Sequence, residues 1–113
     1  MKLNLKQTPR KFKPRDEKEI VISDMGDVIL EPDEQVTFVT SNGKRHDFGA
    51  KSWGFYATPS VNSRLKKEGF KTAVAMNKFG QIYIMVVDAE KLELFQEYCI
   101  SEEQKVLEWL DQR

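Results

Sequence analysis

Apolar positions recur along this chain with two spacings, one suited to strands and one to helices. Ile20-Val21-Ile22 and Val28-Ile29-Leu30 flank Asp24-Met25-Gly26-Asp27. That arrangement predicts two short strands around a turn. Pro32 stops the second strand, because proline has no N–H to give a ladder. Residues 36–40 and 44–48 form the next pair, joined at Asn42-Gly43, two residue types that accept the positive φ of a two-residue hairpin turn. Such a turn sets Phe38 opposite Asp47 and Thr37 opposite Phe48, which splits the apolar side chains between faces. A bulge near Gly49 is expected to restore a single apolar face.

The spacing then changes. Thr58-Pro59 supplies a capping hydroxyl and a proline for the first helical position, Val61 and Leu65 share a stripe, and Gly69 is a left-handed terminator. Together they predict a helix over residues 59–68. Residues 72–76 and 81–87 read as strands joined by Asn77-Lys78-Phe79-Gly80. The second of them, Ile82-Tyr83-Ile84-Met85-Val86-Val87, has no polar group but the Tyr hydroxyl, which predicts a central strand covered on both faces. Asp88-Ala89 opens a second helix with Leu92, Phe95 and Cys99 on one stripe. Ser101-Glu102-Glu103-Gln104 reads as the capping box of a third, with Val106, Leu107 and Leu110 inward.

Hairpins followed by helices imply an α+β fold: one domain with a mostly antiparallel, bent sheet of five or six strands built from hairpins. One middle helix and two C-terminal helices pack on one side of it. The domain is expected over residues 18–113. Residues 1–17 hold Pro9, Pro14 and six of the basic side chains, and they read as a flexible basic N-terminal arm.

Composition narrows the class. The chain has 113 residues, 40% of them apolar and 32% charged, as in a soluble globular domain. No apolar run approaches the ~20 residues a membrane span requires. The basic start lacks a signal-peptide core, and the single cysteine, Cys99, excludes an internal disulfide. A cytoplasmic location and no membrane partner are therefore expected. Net charge is zero, yet it is zoned. Residues 1–15 and 44–78 are basic, while 16–34 and 88–113 are acidic. Zoned segments either pair with one another or leave strong local fields for a partner.

Candidate chemistry is sparse. One His and one Cys cannot furnish a metal site, so neither a metal nor a cofactor is expected. Ser63-Arg64-Leu65-Lys66 matches S-x-x-K, but the chain is too short for the enzymes that use it. Cys99 on an apolar helix stripe reads as a small hydrophobe. His46 is the one side chain that titrates near neutrality and the only weak catalytic candidate.

One constellation remains, within residues 44–67. Trp53 and Tyr56 have faces on which a base or sugar ring can stack. Ser60 and Asn62 stand at the predicted helix start, where free amides attract anions. Lys51 and Arg64 add positive charge. Core packing competes for Trp53 and more strongly for Phe55. The expectation is a small, non-catalytic binding or accessory domain for an anionic, ring-containing ligand, such as a nucleotide, a phosphorylated sugar or a nucleic-acid strand. Two alternatives stand beside it. One is a small acid–base enzyme that uses His46 in a site shared between subunits. The other is a protein-interaction subunit that uses the acidic C-terminal helices and Trp109. The sequence does not set the oligomeric state.

Overall fold

A computed structural model describes residues 1–14 and 20–113. Among the described residues the fold is broadly α+β and mostly antiparallel, with eight strands in three small sheets rather than one bent sheet. β1 (Lys2–Phe12) pairs with β2 (Ile22–Ile29). β3 (Gln35–Val39), β4 (Arg45–Lys51) and β5 (Gly54–Ala57) form the second sheet. β6 (Phe70–Met76) is the centre of the third, between β7 (Ile82–Asp88) and β8 (Lys105–Trp109). The described residues include two α-helices, α1 (Arg64–Lys67) and α2 (Leu92–Ser101). The chain divides into two compact units, Met1–Gln35 with Gly49–Phe55, and Val36–Phe48 with Tyr56–Arg113.

In the first unit, residues Lys2–Phe12, read from sequence as part of a flexible basic arm, are strand β1 and hydrogen-bond to β2; residues 15–17 of that arm lie outside the described residues. The expected turn at Asp24–Asp27 is instead the interior of β2. Pairing is lost between Leu5 and Arg10, the stretch that holds Pro9, which has no N–H to donate. Gly26 lies against β1 so closely that a Cβ there would stand 2.2 Å from the Asn4 carbonyl oxygen. Its φ of 126° also suits glycine alone. Lys6 and Arg10 both face Asp24, at 3.8 and 3.4 Å.

In the second unit, the loop after β3 settles the register conflict. The Thr40 N–H donates to the Lys44 carbonyl (2.9 Å) and the Gly43 N–H to the Thr40 carbonyl (2.9 Å). The loop therefore has three residues, Ser41-Asn42-Gly43, and closes with Gly43 at φ 88°. The added residue moves Thr37 opposite Asp47, where its hydroxyl donates to the carboxylate at 2.7 Å. Phe38 falls on the His46 and Phe48 face, with the two phenyl rings 5.5 Å apart. The shift comes from the loop, so no bulge near Gly49 is required.

The core of this unit gathers on β6, where Phe70, Ala73 and Ala75 are buried. α1 lies against β6 and buries Leu65. The helix expected over 59–68 is shortened to Arg64–Lys67. Ser63 has φ −136° and ψ −90°, which interrupts helical geometry, and Gly69 ends the helix at φ 96° as expected. Asn77 organises the β6–β7 turn: its side-chain oxygen accepts from the N–H groups of Phe79 (3.0 Å) and Gln81 (2.9 Å). Asp88 accepts from the Glu90 N–H (3.0 Å) and opens a short 3-10 turn, Ala89–Lys91, before α2. Leu92, Phe95 and Cys99 of α2 are its half-buried stripe.

Two expectations fail here. β7 is an edge strand, not a central one. The expected third helix is β8, followed by a 3-10 turn at Leu110–Gln112. α2 ends in a Schellman arrangement: the Gln104 N–H reaches the Cys99 carbonyl (2.8 Å), the Glu103 N–H reaches Ile100 (3.3 Å), and Glu103 is left-handed at φ 54°. That reversal sends residues 105–109 alongside β6, and sheet pairing overrides the local helical signal.

Candidate functional site

β4 and β5 are joined by a turn at Ser52-Trp53, in the part of the chain, Gly49–Phe55, that belongs to the first unit. Gly54, at φ 143°, makes this tight turn possible. The rings that sequence alone left between core and surface lie in solvent: Trp53 is 71% exposed and Phe55 66%. The core reading favoured for Phe55 is thereby corrected, because it stands at the far end of a hairpin rather than over a packed face. Lys51, at the start of the same turn, holds Asp33 at 2.8 Å.

The remaining residues of the segment belong to the second unit. Tyr56 is exposed. Ser60 turns inward on its own chain: its hydroxyl accepts from the Arg64 N–H (3.1 Å) and its carbonyl from the Leu65 N–H (3.0 Å). Ser60 thus meets the amides at the start of the observed helix, Arg64–Lys67, and a four-residue helix has little dipole to add. The Asn62 side chain donates to the Arg113 carbonyl (3.3 Å). Arg64 donates to Asp47 at 3.1 Å. The structure therefore joins Ser60 to Arg64, and Arg64 to Asp47, which sequence reasoning had placed opposite Phe38 and not in the candidate site. The missing signal was the length of the loop at 41–43, since Asp47 meets Thr37 only in the three-residue register.

The charge zoning is largely resolved by pairing. Lys44 meets Asp88, Arg64 meets Asp47, Lys71 meets Asp111 and Lys78 meets Glu103 within the second unit. Asp111 is buried, and burial pushes its carboxyl up. The Lys71 ammonium and the Thr72 N–H, each 3.1 Å away, outweigh that effect and hold it below the usual carboxylate range. Lys71 also stands 4.7 Å from the centre of the Trp109 ring, which stacks edge-on with Phe95. Trp109 is half-buried by these contacts.

His46 is 8% exposed and sits between Phe48 (5.0 Å) and Phe70 (6.2 Å), with no hydrogen-bond partner for Nδ1. Burial lowers its pKa, partly opposed by the Asp47 charge. The imidazole is therefore a neutral member of an aromatic cluster, poorly placed to exchange protons with a substrate. Burial likewise raises the Cys99 thiol, away from the reactive thiolate. Among the described residues, no three His, Cys, Asp or Glu side chains come together as a metal site, and no helix is long and apolar enough to cross a membrane.

No protein-family model matches this chain, and no curated protein or solved structure matches it significantly.

Proposed function

We propose that this protein is a small, non-catalytic binding domain for an anionic, ring-containing ligand: a nucleotide, a phosphorylated sugar or a nucleic-acid strand. One observation carries the reading: Trp53 and Phe55 are largely exposed at a tight hairpin turn. A tight turn does not require an indole, and burying a ring stacked on that indole contributes about 1–3 kcal/mol per base. Lys51, on the same turn, supplies the cation. It already holds the Asp33 carboxylate. A ligand phosphate would therefore exchange for a carboxylate rather than meet a bare charge. In this reading a side chain, not helix amides, receives the anion.

The test is an NMR shift-perturbation series with a nucleotide, a sugar phosphate and a short oligonucleotide. The Trp53 indole N–H is expected to move with one class, and Trp53→Ala is expected to weaken binding of that class, read from the backbone amides of residues 51–55. For an oligonucleotide, log affinity should fall linearly with log salt. An indole signal unmoved by all three classes would sink the reading. Trp53→Ala is expected to leave stability within about 0.5 kcal/mol, as surface substitutions do, so lost binding would not report lost folding.

A further inference from the structure

We infer that the free edge of β7 pairs antiparallel with the β7 edge of a second copy of this chain, joining two three-stranded sheets into one sheet of six. This surface lies outside residues 44–67 and is independent of the ligand reading.

The backbone argument comes first. Two hydrogen bonds frame the β6–β7 ladder, Asn77 N–H to the Gln81 carbonyl (3.0 Å) and Ala89 N–H to the Gly69 carbonyl (2.9 Å). Between them the register is unbroken from Met76 opposite Ile82 to Phe70 opposite Asp88. Antiparallel pairing alternates bonded and non-bonded pairs. Tyr83, Met85 and Val87 therefore direct their N–H and C=O groups into β6, and Ile82, Ile84 and Val86 direct theirs away from it. Their side chains are exposed too, at 61%, 60% and 37%, as is that of Tyr83 on the opposite face, at 42%. Unmet backbone groups and unmet apolar surface thus coincide along one strand.

The other edge of the sheet is guarded, and β7 is not. β8 has a register break opposite Val74 and Ala75, carries Lys105 and Glu108, and stops after five residues. Such features keep an edge from pairing further. From Ile82 to Val87, β7 has neither bulge, proline nor charge.

A second copy is the occupant the chemistry selects, because β7 complements itself. A two-fold axis through Ile84 sets Ile84 against Ile84 of the second copy, and Ile82 against Val86. Outward backbone groups then meet only outward backbone groups, and branched apolar side chains face each other. A register shifted by two residues would instead place Asp88, already bound to Lys44, against Ile82. The axis stands perpendicular to the sheet, so both α2 helices, with exposed Leu94 and Tyr98, lie on the same face.

The experiment is sedimentation or light scattering of the full chain over a range of concentrations, beside Ile84→Lys. The wild-type chain is expected to reach twice its 13.2 kDa mass, and Ile84→Lys to weaken self-association by at least about tenfold. Ile84 gives β6 no backbone bond and its side chain is exposed, so the variant should keep the fold, checked by its amide spectrum. Hydrogen exchange on the wild-type chain supplies the second readout: the Ile82, Ile84 and Val86 amides should become protected as concentration rises. Three results would overturn the proposal. They are a wild-type monomer at concentrations up to roughly 100 µM, a dimer indifferent to Ile84→Lys, or a dimer in which the Ile84 amide exchanges freely.

Discussion

The Lys44 ammonium lies 2.5 Å from Asp88 Oδ1, and so ties the start of β4 to the end of β7 within the second unit. Asn42 donates to the other carboxylate oxygen at 3.0 Å, and Lys44 also reaches the Gly69 carbonyl at 3.2 Å. One charge pair thereby joins the 41–43 loop, the helix-ending glycine and the cap of the segment leading into α2.

This pair predicts an acid limb. The Lys44 hydrogen bond is the largest reason that the Asp88 carboxyl titrates at about 2, down from 3.8. A carboxyl with a depressed folded value is charged in the folded chain after its unfolded counterpart has taken a proton. Its contribution is therefore complete above about pH 4 and lost as pH falls towards 2. Urea unfolding of the wild type and Lys44→Met across that range should show a stability gap that is constant above the window and narrows within it. A gap independent of pH would show that Lys44 acts through packing on Phe70 and Gly69 instead.

His46 predicts a second, separate window. Burial lowers its folded pKa below the ordinary 6.5. Above that value both states are neutral and the residue is silent. As pH falls below 6.5 the unfolded chain gains a proton that the folded chain refuses, so stability declines. His46 is the only histidine, so its ring protons can be followed without assignment ambiguity. The expected result is a titration midpoint below 6.5 and, in His46→Phe, a flatter stability profile below pH 6.5. A midpoint at or above the ordinary value would mean the ring is open to water, and would return it to the list of acid–base candidates.

Much of the second unit was legible because single residues impose local geometry. Gly69 ends α1, Asn77 shapes the β6–β7 turn and Asp88 caps the segment before α2, each through bonds to residues within a few positions. What failed depended on distant neighbours. Val106 and Leu110 have helical spacing, yet the chain at 105–109 had an open edge of β6 to join, and pairing there outweighed propensity. The apolar run of β7 does signal burial, but it does not say whether this chain or another supplies the cover. In β1, Leu3 and Leu5 alternate with Lys2, Asn4 and Lys6, a strand pattern masked by the prolines and the positive charge. The candidate site was half legible. Composition picked out Trp53, Lys51 and Arg64, whereas the exposure of Trp53 follows from a Ser-Trp turn that no common turn signature marks.

The end of α2 predicts a gain in stability. Glu103 holds a left-handed φ of 54° that costs a residue with a Cβ roughly 1 kcal/mol relative to glycine. Its carboxylate also holds Lys78 at 2.8 Å, an exposed pair, of a kind that contributes about 0–1 kcal/mol. The two effects separate in a Lys78→Ala background, where Glu103→Gly should stabilise the chain by about 1 kcal/mol in denaturant unfolding. A loss there would mean that the residue stays for a contact other than the Lys78 pair.

The three-residue loop of the β3–β4 hairpin yields the sharpest test of register. A two-residue Asn-Gly turn closing on Ser41 and Lys44 would send Phe38 to the Asp47 face, and the chain avoids this by taking Ser41 into the loop. Deleting Ser41 should therefore be tolerated. Asn42-Gly43 would then close directly on Thr40 and Lys44, the pair already bonded at 2.9 Å, in the turn type that these residues favour. Phe38 would keep its place beside Phe48 and Thr37 its bond to Asp47. The expected stability change is within about 1 kcal/mol, with the Phe38–Phe48 proton contacts intact in NMR spectra. Inserting one glycine after Ser41 in the deletion's place offers the converse, since the added length can be absorbed only by a wider loop or by a one-residue slip that breaks the Thr37–Asp47 bond. If the deletion variant unfolds while the insertion variant keeps both contacts, then apolar matching of Phe38 with His46 and Phe48 is not what sets this register.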